Sequence, residues 1–409
     1  MRSAPPRRQW VKLVSTYAAG HGLVELACAL QVAWLAGTSG QAGALILVYN
    51  MGAFLGPLVM ATFVPTALRR AWPTATGQLA LAGTVVAAAG TLLAGQALLG
   101  VTLLGLGNGA YHLAAGTATL RLPDRPVAAV GIFEGPGALG RVTGLVLGMG
   151  PLASYHQGLW RWALAALVLA VGLITLRPGT LTGWQPPQPT SPPSSRLTDR
   201  PELQPPDRTD QPEASARTAQ PMVQPVPTLG LVLLGLAALS VLRAMTGDAV
   251  TPASNTGGTL LVAGLVLCLG RCAGGVLAER FGLAKVAAIG FAAACIALLI
   301  NPAQPWAMAA ALLALGVPMA PILGAMARCL PGNEPLAFGC AQVFQLAGAW
   351  LAFAGTNHLV LAVVVASCAL IAPLVLQPVR SPLLAGPSLP QPEATGQLLE
   401  SDSTPNRNG

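Results

Sequence analysis

Two pairs of polar residues stand four apart in otherwise apolar stretches: His21 with Glu25, and Asn108 with His112. That spacing puts each pair on one face of a helix. A carboxyl beside an imidazole can take up and release a proton, and histidine changes charge near neutral pH. His21 and His112 are therefore candidates for passing protons to Glu25 or to Glu134. A second chemistry belongs to Arg141 and Arg243, because a guanidinium is a planar fork of donors matched to oxyanions. Glu134 and Arg141 lie seven apart, about 10.5 Å along a helix at roughly 1.5 Å per residue, so each is expected to face a partner elsewhere. Tyr49, Asn50, Asn108, Tyr111 and Gln342 add neutral hydrogen-bonding groups that can line a substrate cavity. Gln345 and Arg271 fit a packing or structural role at least as well.

These groups suit binding and proton movement, not covalent catalysis. Gly135-Pro-Gly137-Ala-Leu-Gly140 has the spelling of a dinucleotide loop, but it lies inside an apolar run with no strand before it. No nucleophile–base pair and no phosphate-binding loop is present, so neither an enzyme nor an ATP-driven pump is expected. The four histidines have no zinc-like spacing with cysteine or acid along the chain, so no metal or other cofactor is expected. Cys268 and Cys272, four apart, read as small hydrophobes within a helix.

The stretches that hold these groups are too apolar for a water-soluble protein. The chain is 53% hydrophobic and 9% charged, where a soluble globular domain carries about 25% charged residues. Its mean hydropathy is +0.62. Ionisable groups inside membrane spans are costly and default to a functional role, although a helix-packing hydrogen bond is the plain alternative for His21 and Glu25. Three arginines (141, 243 and 271) against two glutamates (25 and 134) leave the apolar interior formally at +1 with the histidines neutral. A surplus buried cation favours an anion. Arg243 is the first choice for that contact and Arg141 the second.

A helix needs about 20 apolar residues to cross a bilayer core. Runs and breaks predict twelve spans: 11–37, 41–64, 73–96, 97–120, 127–150, 159–177, 228–247, 257–278, 286–301, 306–327, 335–355 and 358–377. The first is longer than a signal-peptide core of about 7–15 residues, so it is retained as a span. Of 22 Lys and Arg, 18 fall on one side of this topology. The positive-inside rule then places both termini in the cytoplasm of a plasma (bacterial-style inner) membrane. The net charge of +8 is therefore a topology signal and not one for nucleic acid. Residues 178–227 and 379–409, rich in Pro, Gln, Ser and Thr, cannot bury enough apolar surface to order themselves. The expected organisation is an all-α, integral-membrane protein. It has a six-helix bundle at 1–177, a disordered cytoplasmic linker at 178–227, a second bundle at 228–378 and a disordered tail at 379–409.

Gly275-Val-Leu-Ala-Glu279-Arg280-Phe-Gly282-Leu-Ala-Lys285 resembles the loop motif of the major facilitator superfamily, in which glycine, an acid and basic residues join helices 8 and 9. The resemblance implies gating roles for Gly275, Glu279 and Arg280. A glycine permits close helix approach, and the charged pair can latch helices together. The first-half counterpart, Gly56 to Arg70, keeps the basic pair Arg69-Arg70 and lacks the acid. Gly20-His21-Gly-Leu-Val-Glu25, Ala44-Leu-Ile-Leu-Val-Tyr-Asn50, Gly109-Ala-Tyr-His112, Gly131-Ile-Phe-Glu134-Gly-Pro-Gly and Leu242-Arg243 look like the fosmidomycin-resistance branch of that superfamily. Two departures stand out. Leu113 and Ala114 follow the helix 4 histidine where the branch has proline and an acid, and Glu134 stands where it usually has glutamine.

The resemblance implies two pseudo-symmetric six-helix bundles and a monomer working by alternating access. Its partners are protons, a small-molecule substrate and the lipid bilayer. Proton-coupled efflux of a small anionic or amphoteric, drug-like compound is the leading expectation. An importer or facilitator of an organic anion is a second, and a non-transporting receptor or scaffold using the long linker a third.

Overall fold

A computed structural model of the chain describes residues 7–63, 74–93, 95–122, 125–150, 157–176, 226–250, 257–300, 304–353, 357–377 and 379. Most of the expected linker and tail, with Arg69 and Arg70, lies outside the described residues; Val226 already opens a helix.

The described residues form twelve helical segments and no strand. They are α1 Arg7–Ser39, α2 Ala42–Phe63, α3 Thr74–Leu92, α4 Ala97–Leu120, α5 Pro126–Met149 and α6 Gln157–Thr175. The second half comprises α7 Val226–Val250, α8 Gly257–Phe281, α9 Leu283–Ile300, α10 Pro305–Cys329, α11 Glu334–Phe353 and α12 His358–Leu376. Ten are long and apolar enough to cross a membrane. The other two are α5, whose hydropathy Glu134, Arg141, Pro136 and six glycines pull down, and α6, whose apolar part Leu159–Thr175 is shorter. α5 tolerates its polarity because its neighbours are protein: it packs chiefly against α1 on one side and α8 on the other. Leucine, isoleucine, valine and phenylalanine are exposed in numbers no water-soluble surface carries, Phe63, Ile289, Leu370 and Leu374 among them. This is a multi-pass membrane protein.

The described residues up to Val379 form one compact unit. Its helix neighbours repeat with an offset of six: α1 with α5 and α7 with α11, α3 with α6 and α9 with α12, α2 with α4 and α8 with α10. The halves meet through α5 with α8 and α2 with α11, pairs that exchange under the same offset. Small residues allow the closest approach. A Cβ on Gly140, Gly144 or Gly148 would run into the backbone carbonyls of Gly22, Leu26 or Leu30 on α1. Two helices are broken where the sequence suggests single runs: α2 by a π turn at Met51–Leu55, and α10 at Val317–Pro318, where proline restarts the helix at Met319.

Candidate functional site

α1 and α4 bring together the two pairs singled out by spacing. Asn108 Nδ2 donates to Glu25 Oε1 at 3.0 Å and to the Tyr49 hydroxyl oxygen at 2.7 Å. His112 Nε2 lies 3.4 Å and His21 Nε2 3.9 Å from the same Glu25 oxygen. Both imidazoles are anchored at their other nitrogen. His21 Nδ1 is 2.8 Å from the Phe133 carbonyl, and His112 Nδ1 is 3.0 Å from that of Asn108. A carbonyl only accepts, so each Nδ1 carries the hydrogen. In the neutral rings both Nε2 lone pairs then face the Glu25 carboxyl. The His21 ring stacks on Phe133 with centroids 4.5 Å apart and meets His112 edge-on at 4.3 Å. Gly137 makes room for it, since a Cβ there would sit on the imidazole. Exposures of 1%, 9% and 7% for His21, Glu25 and His112 show how little water reaches this group.

A second group spans the two halves. Glu134 on α5 meets Arg271 on α8, with Nη1 3.5 Å from the carboxylate and donating to the Glu134 carbonyl at 3.2 Å. Glu134 Oε1 and Arg271 Nε, both buried, have no hydrogen-bond partner among the described residues. Arg243 on α7, 5% exposed, donates to Gln345 Oε1 on α11 at 3.1 Å. A cavity of about 10 Å³ beside it is walled by Ser240, Met319, Ile322, Leu323 and Ala341. That is room for one water at most. The two groups sense each other: His112, Arg271, Glu25 and Arg243 all lie within electrostatic reach of Glu134.

Arg141 stands apart from the closed centre. It is exposed, with Asp248, Glu25 and Tyr49 within electrostatic reach. Asp248, in the last turn of α7, also reaches Arg243. It changes the charge count to three arginines against three acids. The surplus of +1 read from the sequence omitted this residue, which fell one position beyond the expected end of its span.

The remaining candidates are placed as follows. Tyr111 is fully buried and its hydroxyl donates to the Tyr17 carbonyl at 3.1 Å, wedging α4 against α1 and away from the cage of His21, His112 and Asn108 around Glu25. Asn50 is half-buried at the start of the π turn. Gln342 is buried on α11. Gly275 lets α8 lie against α5 at Val127 and Gly131. Glu279 joins α8 to α5. It accepts from the amides of Val127 and Ala128 at 2.7 and 3.4 Å, capping the N-terminus of α5 in the other half. A carboxylate there meets free N–H groups and the positive end of the helix dipole. Arg280 lies over the Phe281 ring at 5.3 Å. At the same end, Arg121 Nε donates to Glu334 Oε2 at 3.0 Å, tying α4 to α11. Charged contacts thus tie the two halves together at the Arg121–Glu279 end.

No family model matches the sequence, and no curated protein matches it significantly. Solved structures do. A variant of the E. coli fucose:proton symporter FucP superposes over 91% of this chain and 100% of its own, with a TM-score of 0.62 at 14% identity. The fold is that of the major facilitator superfamily. A second structure, a major facilitator superfamily transporter described as FucP in the outward conformation, covers 90% of this chain and 100% of its own with a TM-score of 0.53 at 15% identity. At such identities the likeness to these major facilitator proteins concerns the fold.

Proposed function

We propose that this protein is a secondary active transporter, not an enzyme, which moves a small organic anion by alternating access and couples that movement to protons. One observation carries the proposal: a buried carboxyl, Glu25, faced by two imidazole lone pairs, lies within electrostatic reach of a Glu134–Arg271–Arg243 group at the seam of the two halves. A single proton on Glu25, His21 or His112 removes the clash of lone pairs with carboxylate. It also leaves the surrounding charge one unit more positive, which favours uptake of an anion beside Arg243. Uncoupled, the same arginines are balanced by Glu25, Glu134 and Asp248.

The substrate class in this reading is a phosphonate, phosphate or carboxylate that is small enough to be enclosed, with Arg243 as first contact and Arg141 as the charge met on approach. The bundles are 1–177 and 228–378, with both termini and the Arg121–Glu279 end at the cytoplasmic face of a plasma membrane, and the working unit is a monomer. Efflux by proton antiport follows from the resemblance to the fosmidomycin-resistance branch. The charge balance favours a second reading, in which proton and anion move together, because each stabilises the other in one cavity.

Proteoliposomes of the purified protein, given a radiolabelled phosphonate such as fosmidomycin, test this. An imposed pH gradient should drive net flux, and the sign of the accompanying proton movement separates antiport from symport. Flux that ignores the gradient in both directions would sink the coupling, and no flux of any phosphonate or carboxylate tested would sink the substrate class.

A further inference from the structure

The Glu25 cage has the ligand chemistry of a metal centre, which the positions of its residues along the chain conceal. We propose that His21, Glu25 and His112 form a three-ligand site for one divalent transition-metal ion, of which zinc is the best match. Imidazole nitrogen with one carboxylate oxygen is a donor set that suits zinc. The donor atoms of all three residues lie within 4.8 Å of one another. Two donors in a tetrahedral shell with bonds of about 2.0–2.1 Å stand about 3.3 Å apart. The His112–Glu25 separation of 3.4 Å already matches this, and the His21–Glu25 separation of 3.9 Å needs a closure of well under an ångström.

The surroundings supply a second, independent reason. A histidine that binds metal through one nitrogen commonly donates the hydrogen on its other nitrogen to a backbone carbonyl, which sets the tautomer and the ring orientation. Both imidazoles here are held in that way, by Phe133 and Asn108 carbonyls. The carboxylate is likewise oriented, by the Asn108 amide. Two unprotonated nitrogens and a carboxylate oxygen therefore point at one small volume, which needs a cation in it: a proton or a metal. Three protein ligands leave a fourth position for water. The inference does not rest on the transport reading, since the site can bind metal whether or not the protein moves a substrate.

Zinc titrated into purified, metal-stripped protein in detergent, followed by calorimetry, is the test. One zinc should bind per chain, and His21→Ala and His112→Ala should each weaken it by at least about tenfold, the scale that even outer-shell partners of a metal site command. His358→Ala and the pair Cys268→Ser with Cys272→Ser remove donors away from the cage and should leave that affinity unchanged. Cobalt alone, added to the wild-type chain, should give the intense visible bands of a four-coordinate nitrogen–oxygen site, a readout that needs no variant to fold. Absence of a saturable zinc site, zinc binding indifferent to both histidine substitutions, or only the weak bands of six-coordinate cobalt would each overturn the proposal.

Discussion

Glu25 accepts from Asn108, which also donates to Tyr49, so its carboxyl is held in place whatever its protonation state. Glu25→Gln keeps the shape and removes the titration. In proteoliposomes this variant should lose at least about tenfold of its gradient-driven flux, equivalent to about 1.4 kcal/mol, while substrate exchange without a gradient continues. Gradient-driven flux at wild-type level would place the proton elsewhere. Arg243 gives a complementary case. Arg243→Lys retains a charge but not the fork that reaches Gln345, and should lower affinity for a phosphonate and blur its selectivity at unchanged protein level. Arg243→Ala should abolish uptake of an anionic substrate; unaltered transport would remove the arginine from the site. The sequence showed the members of the cage because helical spacing is a local property. It did not show that Arg271 pairs with Glu134, a contact made across 137 positions. Nor did it show Asp248, hidden by a span boundary placed three residues short of the helix end at Val250.

At the level of the helix, α5 decides the site. Its N-terminus is capped by Glu279, its middle offers the Phe133 carbonyl to His21, and its second half lies on α1 with glycine at every fourth position. Gly140→Ala would set a Cβ against the Gly22 carbonyl and force the two helices apart. Overpacking of this kind costs about 1–3 kcal/mol, visible as a lower midpoint for thermal unfolding in detergent. Gly230→Ala, where nothing lies within 4 Å of the added carbon, should leave the midpoint unchanged or raise it slightly. Equal effects of the two substitutions would mean that glycine acts here through helix propensity and not through contact.

On the scale of the whole molecule, charged contacts tie the two halves together at the Arg121–Glu279 end. Removing the charge that caps α5, by Glu279→Gln, should loosen that end. Hydrogen–deuterium exchange of the Val127 and Ala128 amides should quicken several-fold, since a hydrogen bond to a charged group contributes about 1.5–3 kcal/mol. Exchange that does not change would show that the cap plays no part in holding the seam. Deleting Ser191 to Ala219 separates a transporter from a scaffold. Flux should survive the deletion, whereas loss of every cellular output with the protein still in the membrane would favour the receptor or scaffold role.

By itself, the sequence determined that this chain crosses a membrane many times and which polar side chains share a helix face. Hydropathy and the 3.6-residue period depend only on neighbours along the chain, and the helices at Ala97–Leu120 and Pro126–Met149 lie within a residue of where those signals put them. Which faces turn toward each other was decided by the tertiary structure, because helix rotation and choice of partner come from packing between segments far apart in sequence. Only that packing set two imidazole lone pairs on one carboxyl, gave Glu279 a helix end to cap, and balanced three arginines with a third acid.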